Sequence, residues 1–353
     1  MQRVMVGLSG GVDSSVAALR LQKMGYEVIG VFIKVWHPDF LVCNWQEERR
    51  DAMRVAAHLG IPFLTCNAES VYYEAVAKYF IEAYQAGETP NPDVMCNRAI
   101  KFGAFRDFAK KHGVDLIATG HYAQNIYNHS TQQHELHRGV DVAKDQTYFL
   151  WTLTQTDLTH VCFPIGDTTK EEIRNEAIEH RIPTAQKPDS QGICFLGHVD
   201  IYEFLSHFID LTSGPVCDTS GKKIGEHLGS VCYTVGQRHG YKVTDSSYAG
   251  IATYVQSLDH LRNMLIVDTK PPVQATKAKL SLRSINLMQT VSPGTQCQVQ
   301  LRYRQRPVPA IVENVTETNM GISLESESDD VATGQSCVLY SSKQCLGGGI
   351  IQR

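Results

Sequence analysis

The residues best able to do chemistry lie in short motifs spread along the 353-residue chain. Ser9-Gly10-Gly11-Val12-Asp13-Ser14-Ser15 follows the apolar run Val4–Leu8 and leads into Val12, Val16 and Leu19 at helical spacing. Two glycines let the backbone close on an anion and take positive φ. The free N–H groups and positive dipole end of the following helix then favour a phosphate. The hydroxyls of Ser9, Ser14 and Ser15 add donors. Asp13, a carboxylate beside a polyphosphate site, makes sense as a holder of Mg²⁺ or as an orienting group for the loop. The motif lacks the Gly-Lys-[Ser/Thr] of a Walker A loop and does not fit the G-x-G-x-x-G dinucleotide pattern.

Two cysteines sit in tight polar motifs. Thr89-Pro90-Asn91-Pro92-Asp93-Val94-Met95-Cys96-Asn97 reads as a rigid turn entering a helix, with Asp93 as its N-cap. Cys96 then falls in the first helical turn, where the dipole lowers a thiol pKa, and Arg98 and Lys101 add positive charge. Asp93 could also act as an acid, a base or an orienting group beside that thiol. Cys194 lies in Asp189-Ser190-Gln191-Gly192-Ile193-Cys194-Phe195-Leu196-Gly197, a glycine-flanked loop in which either an inert or a reactive thiol is reasonable. Arg302, Arg304 and Arg306 follow one another without an intervening acid and make a local basic strip, suited to RNA phosphates or simply to a solvated strand face.

The elements that must position these groups alternate. Strands are expected at Val4–Leu8, Val28–Val35, Phe63–Cys66 and Leu116–Thr119, with helices after Val12 and over 47–59, 71–86 and 101–112. Such alternation predicts a doubly wound parallel α/β sheet whose ligands bind beyond the carboxyl ends of the strands, where both Ser9–Ser15 and Gly120-His121 fall. Thr168-x-x-Glu171 and Thr169-x-x-Glu172 both fit a capping box opening a helix to about His180, and 199–208 reads as a further helix. After Ser213-Gly214-Pro215 the texture turns β-rich. The strand over 297–303 alternates strictly and puts Arg302 and Arg304 on its solvent face. Boundaries are expected near Thr212 and Val273, giving units 1–212, 213–272 and 273–353.

Ten scattered cysteines without Cys-x-x-Cys argue against a disulfide framework or zinc ribbon. A net charge of −4 means that nucleic acid would have to be held by local patches. No apolar run is long enough to span a bilayer and no secretory segment is visible, so a cytoplasmic protein is expected, with no membrane partner.

The Ser-Gly-Gly-Val-Asp-Ser loop resembles the PP-loop of the ATP pyrophosphatases, which grips departing pyrophosphate while AMP is transferred to a substrate oxygen. Taken with Thr89–Asn97, Ala118–Tyr122, Lys144–Leu150, Ser190–Gly197, Gly236-Gln237-Arg238, Arg302-Tyr303-Arg304, Gly334-Gln335-Ser336 and Cys345–Gly349, in that order, the chain resembles the bacterial tRNA-specific 2-thiouridylases over nearly its whole length. It departs from them after Gly-Gln-Arg, where Gly240-Tyr241-Lys242-Val243 replaces a Gly-Leu-Gly-type continuation, which puts any docking on the middle domain in doubt.

The resemblance implies a PP-loop catalytic domain of the adenine nucleotide alpha hydrolase-like kind, a small central β-rich domain and a C-terminal β-barrel that contacts tRNA. It implies 2-thiolation of a wobble uridine: ATP, with Mg²⁺, adenylates the uracil oxygen, Cys194 carries persulfide sulfur from a donor protein, and Cys96 is the partner thiol that attacks the persulfide, releasing sulfide or closing a Cys96–Cys194 disulfide as sulfur transfers. It places Gly7, Leu8, Ser9, Gly10, Gly11, Val12, Asp13, Ser14, Ile33 and Gly120 on ATP. Asn91, Pro92, Asp93, His121, Lys144, Asp145, Gln146, Arg302, Tyr303 and Gln335 fall on tRNA. The free chain is expected to be monomeric, and the remaining cysteines structural. An amide-forming adenylating ligase and a catalytically silent RNA-binding protein are the competing readings.

Overall fold

Val4, Met5 and Val6 have no polar atom to satisfy beyond the backbone, and only a strand flanked by neighbours buries all of them. They form β1 (Arg3–Gly7), the centre of a parallel sheet with β2 (Glu27–Lys34), β3 (Phe63–Asn67), β4 (Leu116–Ala118) and β7 (Val161–Cys162), in the order β3-β2-β1-β4-β7. The computed structural model describes residues 1–41, 45–189, 200–272, 278–326 and 331–352. The chain runs outward from β1 to β2 and β3, then returns to the other side of β1 with β4. The switch point between β1 and β4 is where a crevice must open. Helices α1 (Val12–Lys23) and α2 (Trp45–Leu59) pack on this sheet through Ala18, Leu21, Ala52 and Ala56. No helix of the described residues is long and apolar enough to cross a membrane.

Between β3 and β4 the chain makes two helical rods. One comprises Glu69–Tyr72, a π-helical stretch Tyr73–Ala77, and Lys78–Gln85. The other comprises Pro92–Cys96, a π-helical stretch Asn97–Ala104, and Phe105–Lys111. The second rod therefore begins well before the helix expected from Lys101. Further on, Thr169 caps the helix Lys170–Glu179 in a capping box with Glu172, as its sequence implied. Thr168 instead accepts a hydrogen bond from Arg20 at 2.7 Å.

The β-rich remainder forms two units. β8 (Gly214–Asp218), β9 (Lys223–His227), β10 (Lys242–Val243), β11 (Tyr254–Asp259) and β12 (Met264–Asp268) make a five-stranded sheet over Val216, Ile224, Val255, Leu265 and Val267. The divergent Gly240–Val243 segment is absorbed here: Lys242 and Val243 pair with β9, and the Tyr241 hydroxyl donates to Thr253 O at 2.7 Å. β13 (Lys279–Leu287), β14 (Gln296–Gln300), β15 (Val308–Val315), β16 (Asn319–Leu324), β17 (Ser336–Ser341) and β18 (Gln344–Gln352) form an antiparallel barrel closed by the β13–β18 pairing. The strand expected to run to Tyr303 ends at Gln300. Gln305 Oε1 accepts from Leu301 N at 2.9 Å, Gln305 N donates to Arg302 O, and Arg304 takes φ 64°. Arg302, Arg304 and Arg306 are exposed as expected, but on a turn rather than a strand face.

The barrel is tied to the parallel-sheet unit by a hairpin the sequence pattern did not signal. β5 (Ala123–Asn128) and β6 (Gln133–Arg138) leave the sheet after β4, and β6 pairs with β18 through Leu136 and Cys345. Arg138 lies 3.7 Å from the Tyr340 ring and donates to Asp145 at 3.0 Å, so one guanidinium joins hairpin, turn and barrel. A second junction lies at Glu88–Pro90. Thr89 N donates to Thr333 O, the Thr89 and Thr234 hydroxyls share a hydrogen bond of 2.9 Å, and Arg283 donates to Glu88 at 2.6 Å. The Gln335 amide donates to the carbonyls of Thr89 and Pro90 at 3.1 and 3.3 Å. Replacing Gln335 by Leu would leave two carbonyls without their donor. We expect a loss of about 1–3 kcal/mol in urea unfolding, and an unchanged midpoint would show that the junction contributes nothing.

Candidate nucleotide and thiol site

The loop between β1 and α1 lies at the switch point. Gly10 takes φ 74°, and a Cβ there would come within 2.8 Å of Asp51 Cβ and of Glu48 O, so both the conformation and the close packing of α2 require glycine. Gly11 caps α1 with no side-chain hydrogen bond, leaving the first-turn N–H groups without intrahelical acceptors. Ser15 Oγ donates to Gly11 O at 2.7 Å, and the hydroxyls of Ser9 and Ser14 share a hydrogen bond of 3.2 Å. Gly120 closes the opposite wall: a Cβ on it would lie 2.7 Å from Ser14 N. Ile33 is buried in β2, and beyond it a cleft of about 290 Å³ opens among Val35, His37, Trp45 and Glu69.

Asp13 points into an ion-pair chain. The Tyr122 hydroxyl donates to Asp13 Oδ1 at 2.8 Å, and Lys170 Nζ lies 2.7 and 2.9 Å from the two carboxylate oxygens. Lys170 also lies 2.7 Å from Asp189 Oδ1, while Lys144 and Arg174 donate to Asp189 at 2.7 and 3.2 Å. Burial works against the Asp189 carboxylate, but the hydrogen bonds from Lys144 and Lys170 outweigh it and hold its pKa at about 2. Lys170 and Tyr122 were not singled out from sequence. The signal for Lys170 was present: the expected capping box puts a cation at the first position of a helix, where the dipole disfavours it.

The cysteine motif is arranged differently from expectation. Asn91, not Asp93, is the N-cap: its side chain accepts from Val94 N at 3.3 Å and Pro92 occupies the first position, where no N–H is needed. Cys96 is therefore the fifth helical residue, beyond the first turn where the dipole acts most strongly on a thiol. It is fully buried, in a cluster with Ile33, Val35, Tyr72 and Ile100, and is a free thiol. Asn97, next to it, donates to Phe149 O at 3.1 Å, while its buried Oδ1 finds no hydrogen-bond partner among the described residues. Cys194 and Cys43 lie outside the described residues. Burial raises the thiols of Cys66, Cys162, Cys232 and Cys297 to about 11 and that of Cys345 to about 12, which suits structural cysteines.

His121 follows β4 and is buried. The Lys101 ammonium can only donate, so His121 Nε2 accepts from it at 3.3 Å and Nδ1–H donates to Thr119 Oγ1 at 2.7 Å. Burial, reinforced by Lys101, drives the imidazole pKa well below its ordinary value. The residues of the 144–146 segment divide. Lys144 reaches Asp189, and the Gln146 side chain accepts from Tyr122 N at 3.0 Å. The Asp145 carboxylate is buried and taken up by Arg138, Gly139 N and Thr147, so it is turned inward. Tyr303 packs on Phe149 with ring centroids 4.4 Å apart, and Arg304 lies over its face.

A glycine loop at the switch point of a parallel sheet, with two β units docked beside it, defines a doubly wound α/β protein of composite build. The profile of the tRNA methyl transferase HUP domain matches residues 2–198, that of the tRNA methyl transferase PRC-barrel domain 202–269, and that of the aminomethyltransferase beta-barrel domain 277–351. The tRNA-specific 2-thiouridylase MnmA of Staphylococcus epidermidis is 41% identical over 356 residues, covering 99% of this chain and 95% of that one. Its counterpart from Lysinibacillus sphaericus is 43% identical over 354 residues, covering 99% and 94%. The chain belongs to the tRNA-specific 2-thiouridylase family, a family of sulfurtransferase enzymes.

His121 also makes a pH prediction. Its pKa is depressed in the folded state, so above 6.5 its neutral form costs nothing, while below 6.5 the unfolded chain takes up a proton that the folded chain refuses. Stability should fall by up to about 1.4 kcal/mol per pH unit on this account. Urea titrations between pH 7 and 5 should give a flatter profile for His121→Gln than for the parent, and parallel profiles would refute the assignment.

Proposed function

We propose that the chain catalyses ATP-dependent 2-thiolation of the wobble uridine of tRNA. The observation that carries this reading is the identity of 41–43% to tRNA-specific 2-thiouridylases across 99% of the chain. The open loop at the switch point supports it.

ATP is the energy source in this reading. Backbone N–H groups of Gly7–Ser14 receive the phosphates, Ile33 meets adenine, and Gly120 keeps the wall low enough for the nucleotide to reach the loop. Asp13 would hold the Mg²⁺ that accompanies ATP, and its hydrogen bonds to Tyr122 and Lys170 are exchangeable contacts. The uracil O2 attacks the α-phosphorus and pyrophosphate leaves, so that a poor leaving group becomes AMP. The terminal sulfur of a Cys194 persulfide attacks C2 and expels AMP. The Cys96 thiolate then attacks Cys194 Sγ, closing a disulfide and leaving the outer sulfur on the base. Asp93 takes the Cys96 proton. A persulfide-donor protein reloads Cys194 once a thiol has reduced the disulfide.

The uridine must leave its stack to be attacked on its ring, with His121 and Asn91-Pro92-Asp93 lining its pocket. Neutral His121 suits that place, because it adds no charge beside an uncharged base. Lys144, Gln146, Arg302 and Tyr303 meet the RNA backbone and bases. Asp145 and Gln335 contribute by shaping the turn and the junction beneath them. The buried position of Cys96 means that RNA binding must expose it before sulfur transfer. We further propose three units divided near Thr212 and Val273, a cytoplasmic location and a monomeric free chain.

The test uses purified chain, ATP, Mg²⁺, a persulfide donor and tRNA. Cys96→Ser should still release pyrophosphate but form no 2-thiouridine by nucleoside mass analysis. Asp13→Ala should lose both. Retention of thiolation by Cys96→Ser would remove Cys96 from the sulfur path, and absence of pyrophosphate release from the parent would sink adenylation. An amide-forming ligase should tolerate loss of the thiol.

A further inference from the structure

The phosphate loop contains no cation, yet it contains the carboxylate of Asp13. A polyphosphate arriving there meets a like charge; the Mg²⁺ proposed above would offset part of it, and any protein cation has to come from outside the loop. The side chain positioned to supply it is Lys170, only 13% exposed and clamped between Asp13 and Asp189 at 2.7 Å from each.

Its delivery is rigid. Lys170 opens a ten-residue helix sealed by the Thr169–Glu172 capping box, and its own N–H donates to Asp141 at 3.0 Å. Arg20 of α1 holds that helix from below, at 2.7 Å from both Glu176 and Thr168. A lysine at a helix's first position opposes the dipole, so a neutral residue would serve the helix better. Asp189 is also held by Lys144 and Arg174, so Lys170 is the cation on which Asp13 depends and the one it can share with a ligand. An anionic ligand is therefore accepted only if the ammonium turns from Asp13 towards it.

We propose that Lys170 is a polyphosphate-binding residue, whose ammonium exchanges its contact with Asp13 for the phosphate oxygens of ATP while staying anchored on Asp189. The proposal rests on the reading of the loop as an ATP site and adds the cation that the loop lacks. Asp189 is the anchor because Lys144 and Arg174 keep it charged and fixed when Lys170 shifts its weight to the nucleotide. Lys170 thus does for this loop what an in-loop lysine does in other phosphate loops, but from a distant helix.

The experiment is calorimetric titration of ATP, inorganic pyrophosphate and adenosine into the full chain. A charge-assisted hydrogen bond contributes about 1.5–3 kcal/mol. Lys170→Met should therefore weaken ATP and pyrophosphate by about ten- to a hundredfold while leaving adenosine unaffected. Lys170→Arg should recover most of the affinity, and Asp189→Asn should change it less than Lys170→Met. Unchanged ATP affinity in Lys170→Met overturns the proposal. An equal loss in Asp189→Asn overturns it too, since Lys170 would then act only through Asp189. If the parent chain binds no ATP, it is the reading of the loop that fails. Should Lys170→Met not fold, the unsubstituted chain still decides. Pyrophosphate should protect Lys170, but not Lys23, from amine acylation read by mass spectrometry, and equal labelling with and without it counts against the proposal.

Discussion

Everything at the switch-point end of this molecule depends on how closely β4 can approach the start of α1. Gly120 sits where any side chain would collide with the N-terminal turn of α1. That approach sets β4 beside β1, opens the switch point between them, and brings Tyr122 and the 144–146 segment within reach of Asp13. It also explains why the loop is closed from two sides by glycine. Gly10 meets α2 as tightly as Gly120 meets α1.

The second organising constraint is electrostatic. Asp13, Lys170, Asp189 and Lys144 alternate in sign from the phosphate loop to the segment assigned to RNA. Each charge is partly withdrawn from water, so each is more tightly tied to its neighbour than an exposed pair would be. Asp189 stands immediately before the segment that carries Cys194 in sequence. The loop between β1 and α1, the end of the described segment at Asp189 and the turn at Lys144 are thus tied to the same carboxylates.

Much of this was legible in the sequence because the signals are local. Val4–Val6 read as a buried strand, Thr169-x-x-Glu172 is a cap by chemistry alone, and Gly10-Gly11 before a helical pattern marks the loop between β1 and α1. What was not legible depends on pairings distant in sequence. The β5–β6 hairpin carries Gln, Asn, His and Glu on both faces, so its pattern resembles a polar loop until β18 covers one edge. The alternation through Tyr303 was real, but Gln305 intercepts the ladder at Leu301 and turns the chain. Asn91 outcompeted Asp93 as the cap because Pro92, which lacks an N–H, sits naturally just after the cap. Lys170 could be placed on a helix from sequence, whereas its partners could not be.

The pairing of Leu136 with Cys345 has a consequence for how the chain reaches its native state. β6 leaves the parallel-sheet unit with an edge that only β18 can satisfy, so a chain emerging from the ribosome must hold that edge open while the whole middle unit and most of the barrel are made. Its polar residues then serve a purpose beyond the finished fold: an edge rich in His, Glu and Gln is a poor template for self-association during the wait.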